Sequence, residues 1–172
     1  ITMNADYSSA SSVVKIDITT ESIVETYEVG LGPTSLVLDG NNVFVGRTFY
    51  DENWNAFYGS SKIGDNDIKI NNYGLGVACG GDVMKYNNEI YRSYDGGIAP
   101  LDNNLDIRSS FRIGSYDQSQ VYSTEIIGEY IYFGITDSNS NMDKVKKVDA
   151  NGNEVASFDV GIFPGDFSVW KN

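Results

Sequence analysis

The chain has 172 residues, of which 41% are hydrophobic and 13% aromatic, enough apolar surface for one globular domain with a core and too much for a disordered chain. It carries 24 acidic against 12 basic side chains, a net charge of −12, which disfavours nucleic acid and anionic membrane surfaces as partners, and no run is long enough to cross a bilayer. A single cysteine excludes an internal disulfide, and the absence of histidine removes the commonest general base and metal ligand.

Residues 1–7 (ITMNADY) read as a strand, followed by a serine-rich link over 8–12. Residues 13–49, VVKIDITTESIVETYEVGLGPTSLVLDGNNVFVGRTF, read as four short strands. The stretches 13–17 and 23–29 alternate apolar and polar residues as half-buried strands do, and Gly30-Leu31-Gly32-Pro33 breaks the chain. Strands over 35–38 and 43–45 then flank Asp39-Gly40-Asn41-Asn42, a tight turn. Residues 50–61 (YDENWNAFYGSS) do not alternate and form the longest excursion between strands. Residues 61–64 take the place of 14–17, with 68–70 as an outer strand. A glycine-rich connection over 74–81 holds Cys79 as a small packed residue. Strands 83–86 and 89–94 form a hairpin across Asn87-Asn88. The next unit has strands at 97–102 and 105–113 about a turn at Asn103-Asn104, then a hairpin of 120–127 and 130–135 bending at Gly128-Glu129. The last unit pairs 144–149 with 155–160 across Ala150-Asn151-Gly152-Asn153, the strongest two-residue hairpin signal in the chain. Gly161-Ile162-Phe163-Pro164 repeats the earlier break, and a strand over 167–170 runs to a turn at Lys171-Asn172.

Strand-Asp, polar turn, strand-Val-Gly, x-Gly-Pro, strand, Asp-Gly-x, strand: this order over residues 13–49 resembles a repeat of the YVTN/NHL-like β-propeller family. The resemblance extends over nearly the whole chain. It is strongest in residues 1–49, clear in 144–172 and weakest in the second repeat, where Gly64 replaces the strand-end aspartate and no proline follows the glycines. The hairpin bends at Asn42, Asn88, Glu129 and Asn172 recur every ~43 residues, inside the window of roughly 40–50 typical of propeller blades. The resemblance implies an all-β fold, a β-propeller of about four four-stranded blades in one domain over residues 1–172, with one blade built from strands 1–7 and 167–170 at the two termini. The alternative is a part of a larger or multi-chain propeller: two chains in an eight-bladed ring, or a head-to-tail assembly through terminal strands. The chain opens on Ile1, which fits either a removed leader or a piece of a longer protein.

Three constellations are candidate sites. The first is the aromatic excursion, where Tyr50, Trp54, Phe57 and Tyr58 stand beside Asp51, Glu52, Asn53 and Asn55, a mixture suited to a glycan or a protein partner. The second is the mouth of a propeller's central channel, near the starts of the inner strands at Ser35, Asp82, Ser119 and Asp166. The third is the D-x-N-x-N-x-D loop of Asp137, Asn139, Asn141 and Asp143, whose alternate oxygens suit Ca2+, although Met142 stands where an EF-hand has glycine. Catalysis finds little support: no histidine activates a serine or Cys79, and no carboxylate pair stands out. The expectation is a non-enzymatic extracellular or cell-surface propeller, without a resident cofactor, that binds a partner or builds an assembly. A glycan-binding lectin-like propeller and a carboxylate-dependent hydrolase are the alternatives.

Overall fold

The computed structural model of the protein describes residues 1–3, 9–76, 81–168 and 170. Its fold is all-β, and the described residues include no α-helix, only a 3-10 turn at Ser109–Phe111. Fourteen strands form four antiparallel sheets in chain order. The first holds β1 (Thr2–Met3), β2 (Ser12–Asp17) and β3 (Ser22–Glu28). The second holds β4 (Pro33–Asp39), β5 (Asn42–Tyr50), β6 (Ala56–Ile63) and β7 (Ile68–Leu75). The third holds β8 (Val83–Tyr86), β9 (Glu89–Tyr94) and β10 (Gly97–Pro100). The fourth holds β11 (Val121–Ile127), β12 (Tyr130–Ile135), β13 (Asp143–Val148) and β14 (Glu154–Val160).

Turn chemistry sets the register. Asn87 and Asn88 both take positive φ, as do Asp95 and Gly96, giving two-residue connections whose twist matches the flanking strands. Four expectations are corrected. The excursion over 50–61 is mostly strand: β5 continues to Tyr50 and β6 begins at Ala56, because Phe49 and Phe57 lie opposite each other and stack at 5.7 Å. Residues 105–113 are not a strand. Their backbone pairs with the third sheet at isolated bridges of Ile107 to Leu101 and Ile113 to Ile98, with the 3-10 turn between them. The turn at 149–153 is a five-residue loop, because Asp149 folds the backbone around its own carboxylate. Finally, β1 pairs only with β2 and no strand is assigned over 161–168, so the expected hairpin between the two ends is not among the described pairings. Cys79, the turn at 171–172 and parts of the strands 1–7 and 167–170 lie outside the described residues.

Each sheet packs face to face on the next. Val13 and Val29 of the first sheet's segment meet Val45 and Ile63 of the second. Phe44 and Tyr73 of the second meet Ile90, Leu101 and Leu105 at the third. Met84, Tyr86, Tyr91 and Ile98 of the third meet Val121, Ile131, Phe133 and Val148 of the fourth, the largest of the three clusters. The opening strands follow the same succession: β1 lies beside β4, β4 beside β8 and β8 beside β11. The third sheet, held between two neighbours, is the most buried, whereas Val24 in the first sheet and Phe158 in the fourth stay half exposed. Hydrophobic burial therefore runs through the stack at three junctions rather than in one central core.

Candidate functional site

The second and fourth sheets share a device at the start of their first hairpin. Ser35 on β4 lies opposite Gly46 on β5, and Ser123 on β11 lies opposite Gly134 on β12, each just after a bulge in the opening strand. Both hydroxyls reach forward out of their own sheet. Ser35 Oγ accepts the N–H of Val83 in the next sheet at 3.0 Å, and Ser123 Oγ donates to the carbonyl of Pro164. Glycine is required across the ladder because a Cβ at Gly46 would stand 2.6 Å from Ser35 Oγ, and a Cβ at Gly134 would collide with Ser123 Oγ.

The third sheet departs from this pattern. Counted back from its bend, the corresponding residue is Asp82, and Ser93, whose N–H donates to the Asp82 carbonyl at 2.9 Å, stands where the others have glycine. No hydrogen-bond donor of the described residues reaches the Asp82 carboxylate, and the buried Ser93 hydroxyl has no protein partner either. Burial and, to a lesser extent, the negative charge of Glu125 push the Asp82 carboxyl up to about 6, against a smaller opposing pull from Arg92.

Asp82 lines a cavity of about 370 Å3 where three opening strands meet: residues 35–37 of β4, 82–85 on and before β8, and 124–126 of β11. Ser35 and Asp82, both expected at a channel mouth, are brought together there. Thr124 is a wall residue that is only 5% exposed, and its hydroxyl also lacks a partner. It lies opposite Phe133, which packs against Met84, so its side chain is on the face of β11 turned toward β8. Leu36, Val37, Met84 and Ile126 give the wall its apolar part, Glu125 adds a second carboxylate, and Lys85 is tied to Asp39 at 2.8 Å. The other two residues expected at the mouth are elsewhere. Ser119 belongs to an exposed turn, bonded to Asp117 through both its N–H and its hydroxyl. Asp166 is exposed and accepts the N–H of Phe167. Counting from the bend at Gly128 instead of from the start of the strand identifies Ser123 as the true counterpart of Ser35.

Behind Asp82, two arginines are buried without a carboxylate partner among the described residues. Arg92, 1% exposed, donates to the Gly59 carbonyl at 2.5 Å and Ser60 Oγ at 3.0 Å, and lies over the rings of Tyr58 and Tyr73. Arg47, equally buried, donates to the carbonyls of Leu31 and Asn71 and to the Asn72 side chain. Burial lowers its pKa to about 10, which leaves it charged at neutral pH. Neither arginine stood out in the sequence, where each reads as one polar residue of an alternating strand.

The aromatic candidates divide. Tyr58 is a packing residue, against Tyr73 at 5.2 Å and beneath Arg92, and Phe57 stacks on Phe49. Tyr50 and Trp54 flank a recess formed by residues 50–54, with Trp54 81% exposed. The loop is fixed by Asp51, whose carboxylate accepts the N–H groups of Asn53 and Asn55 and the Asn55 amide, donors that hold its pKa below the usual range. Asp102 with Asn104 and Asp106, and Asp149 with Asn151 and Asn153, form the same turn. In all three the fourth residue takes positive φ: Trp54, Leu105 and Gly152. Leu105 is fully buried, so the exposure of Trp54 is particular to its loop.

The proposed metal loop is held by its own backbone. Asp137 accepts the N–H of Asn139 at 2.9 Å, and Asp143, 3% exposed, accepts those of Asp137 at 3.0 Å and Phe163 at 2.6 Å. Asp143 thereby fastens the segment after β14 to the start of β13. No set of three or more acidic, histidine or cysteine side chains placed to hold a metal occurs among the described residues. Among the described residues no helix is long and apolar enough to cross a membrane. Comparison with known proteins finds no family model that matches the chain and no curated sequence similar to it.

Proposed function

We propose that this chain is a non-enzymatic β-propeller module, extracellular or on a cell surface, that binds a ligand where its opening strands converge. The observation that carries this reading is the cavity walled by β4, β8 and β11, three successive opening strands. Blades of a propeller meet in this way around their axis, each with its first strand innermost. Sheets that pack one on the next at three junctions, and opening hairpins that repeat one Ser–Gly device, support the same reading. The half-exposed apolar side chains of the first and fourth sheets leave room for ring closure within the chain or against further sheets. A second reading, contact with a glycan or protein at Tyr50 and Trp54, is favoured by one observation: a tryptophan held outward at positive φ on a loop its neighbours make rigid.

NMR shift mapping with a panel of amines, short peptides and oligosaccharides tests both readings. Perturbations grouped on residues 35–37, 82–85 and 124–126, without turnover of the ligand, support the cavity. Perturbations confined to 50–55 support the second reading. Turnover that disappears in Asp82→Asn would overturn the non-enzymatic assignment and favour a carboxylate-dependent hydrolase.

A further inference from the structure

Deepening the cavity reading, and resting on it, we propose that the ligand held at Asp82 is an organic ammonium group with a short apolar stem. The argument begins with the repeat. At the position where the second and fourth sheets place a serine bonded to its neighbour, the third places a carboxylate that no donor reaches. Beside it are two hydroxyls that are more than nine-tenths buried and unpartnered, Ser93 opposite it and Thr124 across the cavity. Buried polar groups are normally paired, and two unpaired buried hydroxyls beside a half-buried, unbonded carboxylate mark a site completed by something else. The carboxylate lacks donors, and the two hydroxyls can present acceptor oxygens beside it. A carboxylate and hydroxyl oxygens suit an ammonium head, which has three N–H donors and no acceptor. The walls decide between an ammonium and a bare metal ion. Leu36, Val37, Met84 and Ile126 offer apolar surface that a methylene stem would cover, and no third acidic group is placed to complete an oxygen cage. The protein's own cations do not fill the role: Lys85 is committed to Asp39, and Arg92 is turned toward Gly59 and Ser60.

The test is calorimetric and NMR titration of the full chain with n-butylammonium at pH 7.5 and low salt. n-Butanol serves as the neutral control and calcium alone as the metal control. The charged groups that bear on the reading of pH are Asp82, Glu125 on β11, Arg92 on β9 and Lys85 with Asp39. The expected result is saturable binding with shifts at residues 82–85 and 124–126. Asp82→Asn should weaken it by about tenfold or more, as loss of a charge-assisted hydrogen bond does. Binding should also fade when the pH is lowered to 5. Thr124→Val, close in shape, should weaken binding less while leaving the fold intact. Equal binding of n-butanol, unchanged binding by Asp82→Asn, or calcium binding in place of the amine would each overturn the proposal. If the amine fails while another ligand of the panel shifts the same residues, the cavity reading stands and only the ligand class is wrong. Failure of every ligand there removes both.

Discussion

The second and third sheets open with hairpins of the same geometry and opposite economy of polar groups. In the second, Ser35 is short, neutral and bonded to the next sheet, with Gly46 leaving it room. In the third, Asp82 is charged in water at neutral pH and unbonded, with Ser93 occupying the glycine position. The backbone demands nothing of this difference, since Ser35 and Ser123 show that a hydroxyl satisfies the position in the same fold. Stability alone would favour serine, so the carboxylate marks the place where the repeat departs from its own rule.

Substitutions can break or sharpen this contrast. The largest effect belongs to the packing on which the third sheet's hairpin rests. Phe133 is fully buried between the third and fourth sheets, and Phe133→Ala should lower unfolding free energy by about 3–5 kcal/mol in a denaturant titration. Asp143 is the bonded counterpart of Asp82. Asp143→Ala strands the N–H groups of Asp137 and Phe163 and should cost about 2–3 kcal/mol, with faster amide exchange at Phe163. Asp82→Asn should have the opposite sign. The folded protein holds the Asp82 proton up to about pH 6, whereas the unfolded chain releases it near its ordinary value of 3.8. The Asp82 contribution to native stability is therefore most favourable below pH 3.8, falls as pH rises through that window and is least favourable above 6. The substitution should leave stability unchanged near pH 3.5 and raise it by roughly 2–3 kcal/mol at pH 8, read from thermal or urea unfolding at both pH values. Gly46→Ala, which pushes a methyl against Ser35 Oγ and the Gly81 carbonyl, should lose about 1–3 kcal/mol. The smallest effect is expected at Trp54: because its ring is 81% exposed, Trp54→Ala should shift unfolding by less than about 0.5 kcal/mol. A larger loss would show that the ring is a packing residue and remove the contact reading.

Much of the fold is legible in the sequence because turn chemistry is local. The bends at Gly40-Asn41, Asn87-Asn88 and Gly128-Glu129 turn on Gly40, the two asparagines and Gly128, which reach positive φ cheaply, and alternation supplies the strands on either side. The misjudged elements involve interactions that alternation does not encode. Residues 50–58 lack a clean pattern because both faces of that hairpin are partly covered, so aromatic and polar residues fall on either side. Residues 105–113 alternate well enough for a strand, but Leu105 leaves the sheet at positive φ and is buried against the second sheet. At the site, Ser35 and Asp82 are readable from hairpin spacing, whereas Ser119 is reached by counting from the wrong end of a bulged strand. The orphaned hydroxyls of Ser93 and Thr124 and the unpaired Arg92 depend on neighbours in other sheets and have no signature along the chain.

The most direct test of the central claim is the titration of the Asp82 side-chain carboxyl, followed by 13C NMR with Asp82→Asn to assign the resonance. A midpoint near pH 6 that falls toward the ordinary value when n-butylammonium is added is the predicted result. A midpoint near 3.8, unmoved by the amine, would mean that the carboxylate is already well solvated or bonded, and that the third sheet holds no binding site.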